Sequence, residues 1–242
     1  MIYLFAFFAL TAPDIQSFDT VLKRFVNDSG RVHYAALKQD SKTLDAFTTQ
    51  VGAVSPHSHP ALFPSREAKL AYWINAYNAF VLSAFAHEYP EKRDRLQSTW
   101  GILSFFYRLK FQIGGQMRSL ADVEKNTIRK EFGDPRIHFV LVSGSASCPG
   151  LSRDVFTAAN LEALLERETR RYMNEERNVK LDTTRKELTV SEIFKWFKGD
   201  FGKSDQDLMR YIAKYRAGSP DFANAGWKIK YYAYNWSINE AK

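Results

Sequence analysis

Leu70-Ala-Tyr-Trp-Ile-Asn-Ala-Tyr-Asn-Ala-Phe-Val-Leu82 is apolar on nearly every side of a helical wheel. A helix without a polar face is stable only when protein surrounds it, so this run predicts the buried central helix of the fold, beginning near Ser65 and Ala68 and running to Tyr89. Asn75 and Asn78 interrupt the apolar pattern, and their spacing of three puts both on one face. Two amides entering a core together must be hydrogen-bonded there, either by holding neighbouring loops or by lining a polar pocket.

Toward the C-terminus, Leu109 to Arg118 reads as a hairpin, since Gly114-Gly115 supplies the positive φ angles of a tight turn. Ser119 then caps a helix from Leu120 to Glu131, with Asp122 in its first turn. Gly133-Asp-Pro135 breaks the chain, and Arg136-Ile-His-Phe-Val-Leu-Val142 predicts a strand. Beyond it come an amphipathic helix over 160–175, a second hairpin (Val179 to Leu181 with Glu187 to Val190) and a short helix from Ser191 to Trp196. A helix from Asp205 to Tyr215 and a last strand from Trp227 to Tyr232 follow. Toward the N-terminus, Ser55 to Pro60 is a loop, preceded by a helix from about Ala36 to Val51, a short strand at Arg31 to Tyr34 and a helix from Ile15 to Val26. Helices and hairpins mix without a regular strand–helix repeat. The class is therefore α+β: a single domain over 13–242, its buried helix packed on a mixed or antiparallel sheet with hairpins.

Composition narrows the function. At 45% hydrophobic and 15% aromatic, 242 residues suffice for a packed core. The formal charge of +7 allows attraction to anionic surfaces, but every basic stretch is broken by acids or apolar residues, so nucleic acid is not an expected partner. His57 and His59, two apart in a proline-rich loop, have poor zinc spacing, and neither a metal nor another cofactor is expected. Residues 1–12 form an apolar leader that is too short to span a bilayer and ends in small residues, as a signal peptide does. Export to the periplasm or beyond is the expectation, with no transmembrane span.

The chemistry concentrates at Ser145-Ala-Ser-Cys-Pro-Gly-Leu151, which holds the only cysteine. Cys148 is either a small buried hydrophobe or a nucleophile. Pro149 suits a first helical turn, which would set the thiol at a positive helix end. His138 is the nearest base in sequence. On a strand it shares a face with Val140 and Val142, so the loop after it must fold back for the imidazole to meet the sulfur; otherwise it is a core histidine. Arg136, Arg129, Glu124 and Lys125 form a substrate clamp or a plain ion-pair network. Trp73 and Ser147 complete the substrate-binding candidates, with Asn75 and Asn78 available to orient a group or stabilise an oxyanion. The motifs GxSxG, GxGxxG, HExxH and the Walker lysine are all missing.

Taken in order, Tyr72-Trp-Ile-Asn-Ala-Tyr-Asn78, the 120–129 segment, Asp134-Pro-Arg-Ile-His138, Ser147-Cys-Pro-Gly-Leu151, Ser191 to Phe197 with Asp200-Phe201, and Tyr234-Asn-Trp-Ser-Ile-Asn239 resemble the family called domain of unknown function 547. The resemblance runs from about Phe18 to Asn239 and implies one undivided domain, often exported in bacteria. Relatives fused to glutaredoxin or to leucine zippers imply thiol chemistry in some contexts and protein interaction in others. Two departures matter. Ser143 stands where the family commonly has a cysteine, which excludes a two-cysteine redox cycle within this chain, and Lys125 replaces a histidine that would be an obvious base. Two functions follow. One is a binding or structural module of the cell envelope, taking a peptide, a small molecule or an envelope component, with Trp73 and Trp196 as core anchors. The other is a single-thiol hydrolase or acyl transferase, distantly similar to papain- and transglutaminase-like enzymes, with Cys148 attacking an amide or ester carbonyl. Lys125 and the awkward His138 geometry favour the first.

Overall fold

The helix predicted around Asn75 runs over Arg66–Glu88 in the computed structural model, which describes residues 10–88, 99–222 and 226–241. Every residue from Leu70 to Leu82 is buried. Helices Tyr34–Gln39 and Lys42–Ala53 and the π-helical segment Val123–Phe132 pack against it, and Phe80 meets the ring of Phe111 on the first hairpin at 4.7 Å. The expected helix over 36–51 is two helices, separated at Asp40-Ser41. The strand expected at Arg31 to Tyr34 reduces to bridges at Val32, because Tyr34 already begins a helix.

The hairpin β1 (Lys110–Ile113) and β2 (Gln116–Ser119) turns at Gly114 and Gly115, with φ of 56° and 83°. Its tip docks on a helix end: Gly114 and Gly115 donate to the carbonyls of Val51 and Gly52. A Cβ on Gly114 would lie 2.1 Å from Ser55 Oγ, so only glycine permits that approach. Ser119 caps the next helix as expected, its Oγ accepting from Asp122 N at 3.2 Å. From Val123 to Phe132 the winding is π-helical, and left-handed Gly133 ends it.

The predicted strand at Arg136 to Val142 is not formed. Asp134 caps a 3₁₀ helix, Pro135–Phe139, with Oδ1 accepting from Arg136 N at 2.9 Å, and Pro135 fits its first turn. Beyond it the backbone bonds to a side chain in place of a strand. Asn78 Nδ2 donates to Val140 O at 2.9 Å and its Oδ1 accepts from Val142 N at 3.1 Å. Asn75 does the same for Phe156, at 2.7 and 3.1 Å. An apolar run of this length suits a strand or any other buried segment, and the Asn78 amide decides the matter here.

Phe139 points the other way, into a second apolar cluster with Tyr172, Phe194, Phe201 and Tyr211. Helices Leu161–Asn174 and Asp205–Tyr215 build this cluster with a three-stranded sheet. There β3 (Val179–Asp182) is antiparallel to β4 (Glu187–Val190), and β5 (Lys228–Tyr231) is parallel to β4. The architecture is thus the α+β class expected, and the stretch 137–142 lies at the seam of its two apolar clusters. Residues 235–241 tie the loop after the seam to Val32: Ala146 donates to Ser237 O, Asn239 to Gly144 O and Val32 to Asn239 O. Residues 1–9 of the 1–12 leader lie outside the described residues. No helix among those described is long and apolar enough to cross a membrane.

Candidate functional site

At the seam the surface opens into a cleft of about 490 Å³. Three groups of residues reach it, beside Tyr77 of the central helix and Phe106 and Tyr107 of the helix Thr99–Arg108. The segment after Ser119 contributes Glu124, Lys125 and Arg129, the loop beyond Pro135 contributes His138, Ser143 and Cys148, and the C-terminal third contributes Trp196, Phe197, Tyr234 and Trp236. The π-helix explains the first group. In an α-helix, positions five apart diverge by about 140°. Hydrogen bonds from i to i+5 return them to one side, so Glu124 and Arg129 serve the same cavity.

His138 does not meet Cys148; among the described residues no hydrogen bond joins them. Its Nε2 lies 2.7 Å from Asp200 Oδ2, its ring stacks on Phe197 at 4.0 Å, and its side chain is almost fully buried. Arg129 grips the same carboxylate in a fork, Nε to Oδ2 at 2.8 Å and an Nη to Oδ1 at 2.9 Å, with the guanidinium over the Phe197 ring. The hydrogen bond from His138, with that from Arg129, holds the Asp200 carboxyl well below the usual range despite partial burial. An ionised carboxylate only accepts, so Nε2 carries the proton of this bond. Glu124 behaves oppositely. Burial pushes its carboxyl up, resisted by the charges of His138 and Arg129 and by the Tyr77 hydroxyl at 3.4 Å. Lys125 is exposed at the same wall and carries no ion pair among the described residues.

Cys148 lines the cleft and also a smaller cavity of about 100 Å³ behind it, yet the residue is only 3% exposed. The S–H donates to Pro149 O at 3.3 Å. Burial pushes the thiol up, against hydrogen bonds from the backbone and side chain of Ser143 that favour the thiolate. Ser143, Ser145 and Tyr234 form a hydroxyl chain beside it, with Oγ to Oγ at 2.7 Å and Ser145 Oγ to Tyr234 OH at 2.9 Å. No helix begins at Pro149, so the expected macrodipole is missing from this site. The chain there is fixed by a glycine crossing: Leu151 donates to Gly30 O, and a Cβ on Gly30 would lie 2.5 Å from Gly150 Cα.

The cleft therefore unites five of the sequence candidates, Cys148, His138, Arg129, Glu124 and Lys125. The others lie elsewhere. Asn75 and Asn78 hold loops on the central helix, and Trp73 is core, 1% exposed, beside His57 and Arg118. Arg136 is tied to Asp134 and Glu162, and Ser147 Oγ accepts from Asn235 N at 2.9 Å. His57 pairs with Glu131 and His59 with Ser58; among the described residues no three His, Cys, Asp or Glu side chains gather as metal ligands.

Trp196 corrects the sequence reading most clearly. It is no core anchor: it is 45% exposed and packs against Tyr234 (4.8 Å) and Trp236 (5.6 Å) at the cleft. The sequence assigns no role to Asp200, Tyr234 or Trp236 beyond membership of their motifs. Their signal was the aromatic density of two short segments, 194–201 and 231–236, too brief to have a buried face of their own.

Residues 62–173 match the model of a family described as "Protein of unknown function, DUF547". No curated protein and no solved structure matches the chain. The matched segment carries Glu124, Arg129, His138 and Cys148, whereas Trp196, Asp200, Tyr234 and Trp236 fall beyond it.

Proposed function

We propose, for a chain whose residues 62–173 match the DUF547 family model, that the protein is a ligand-binding domain and that the seam cleft is its binding site. The observation that carries this reading is the position of two exposed aromatic side chains. Tyr107, 65% exposed, and Trp196, 45% exposed, both line the one cleft. Exposed large rings are costly in water and mark interaction sites when they cluster. A cavity of about 490 Å³ with apolar walls and a few convergent polar groups has the size and character of a small-molecule site. On this reading the ligand is a small molecule, a peptide side chain or an envelope component, met outside the cytoplasm. The apolar leader and the +7 charge, suited to anionic envelope polymers, support the location.

The test is a panel of sugars, aromatic compounds and short peptides titrated against intrinsic tryptophan fluorescence, in wild type and in Trp196→Ala. A saturable response lost in the variant supports the reading. A panel without any Trp196-dependent response contradicts it.

The thiol-enzyme reading is second. Its support is that Cys148, His138 and Glu124 share one cleft. Against it stand the burial of the sulfur, its raised pKa and the commitment of His138 to Asp200.

A further inference from the structure

We infer that the ligand of this cleft is a saccharide, bound with the C–H face of a pyranose ring against the aromatic shelf of Trp196 and Trp236 and its hydroxyl edge toward Glu124, Lys125 and Arg129. The inference rests on the binding reading above and gives it a ligand class.

The shelf is a cluster of touching rings. Trp196, Tyr234 and Trp236 are in mutual ring contact, Tyr234 to Trp236 at 4.5 Å and the two indoles at 5.6 Å with their planes 23° apart. Such rings present flat apolar faces with negative quadrupoles at low conformational cost. Three kinds of group pack well on such a face: another aromatic ring, a cation, and the polarised C–H bonds of a sugar.

The rest of the cleft chooses among them. A cation meets Lys125 and Arg129, and in this same cleft the Phe197 face is already covered by the Arg129 guanidinium. A purely aromatic ligand would strip water from Glu124 and Lys125 without replacing its hydrogen bonds. A pyranose offers both surfaces. Each hydroxyl is donor and acceptor at once, so adjacent hydroxyls can donate to the Glu124 carboxyl and accept from Lys125. Lys125 is suited to this because it has no ion-pair partner among the described residues. Arg129 contributes less, since Asp200 already holds two of its nitrogens.

The experiment is a glycan array probed with the labelled protein, followed by calorimetric titration of the strongest glycan against wild type, Trp196→Ala and Glu124→Gln. Two counter-probes, 2-naphthol and a decaproline peptide, are titrated in parallel. Thermal unfolding of each variant establishes that it is folded. The expected result is at least one glycan bound by wild type, with affinity reduced tenfold or more in each folded variant. Trp196-dependent binding of 2-naphthol or decaproline with a blank array would overturn the saccharide and leave the binding cleft standing. Silence from every probe would overturn both. A glycan bound equally well by wild type and both variants would also overturn the inference, because it would be held somewhere else.

Discussion

His138 Nε2 and Asp200 Oδ2 lie 2.7 Å apart, joining the family-matched segment to a residue beyond it. Replacing Asp200 with Asn removes the charge that faces both His138 and Arg129, and should cost about 2–3 kcal/mol in stability, since breaking one side of a largely buried pair strands its partners. The pH dependence has a definite sign. The folded carboxyl is held below its unfolded value of about 3.9. Its stabilisation is therefore complete above that value and is lost as pH falls through the depressed one. Urea unfolding at pH 7 and at pH 3 should show a smaller acid penalty in Asp200→Asn than in wild type.

Asn78 and Asn75 should each be worth more than their size suggests. Truncating Asn78 to Ala leaves the Val140 carbonyl and the Val142 amide without partners in the core, at a cost of about 3 kcal/mol. Asn78→Asp keeps the acceptor but loses the donor and buries a charge, so it should be no milder. Chemical denaturation of the two variants checks this. A change below half a kcal/mol would mean that the loop is held by other contacts.

Much of this fold was legible in the residues. The central helix, both hairpins, the Ser119 cap and the helix Asp205–Tyr215 follow from periodicity, turn glycines and capping chemistry, all local properties. The stretch 136–142 was not, because its conformation is set by Asn78, more than sixty positions earlier in the chain. The site was half legible for a similar reason. Glu124, Arg129, His138 and Cys148 are chemically conspicuous, but an α-helical period separates the first two and only π-helical winding unites them. The aromatic shelf escaped because hydrophobicity alone assigns a tryptophan to the core, and nothing local to Trp196 contradicts that.

Cys148 should behave as a buried thiol. Iodoacetamide at pH 8 should label folded protein at least tenfold more slowly than urea-unfolded protein, because burial both shields the sulfur and raises its pKa. Cys148→Ala should cost about 1 kcal/mol. Labelling faster in the folded state, with a rate that saturates below pH 8, would revive the nucleophile.

Trp73 and Trp196, both read as core anchors from the sequence, should separate on truncation. Trp73→Ala removes a side chain that is 1% exposed and should destabilise by about 3–5 kcal/mol. Trp196→Ala should cost about 1 kcal/mol or less, because half of that ring faces solvent. Thermal unfolding of the pair measures the difference directly, and equal losses would place Trp196 in the core after all.

Fluorine NMR of protein carrying 5-fluorotryptophan at its five tryptophans tests the central claim most directly, with each resonance assigned by substitution and the panel of sugars, aromatic compounds and peptides added in turn. The account predicts that a bound ligand shifts the resonances of Trp196 and Trp236 and leaves that of buried Trp73 in place. Saturable binding that leaves Trp196 and Trp236 unmoved, or a panel that moves no resonance at all, would contradict it.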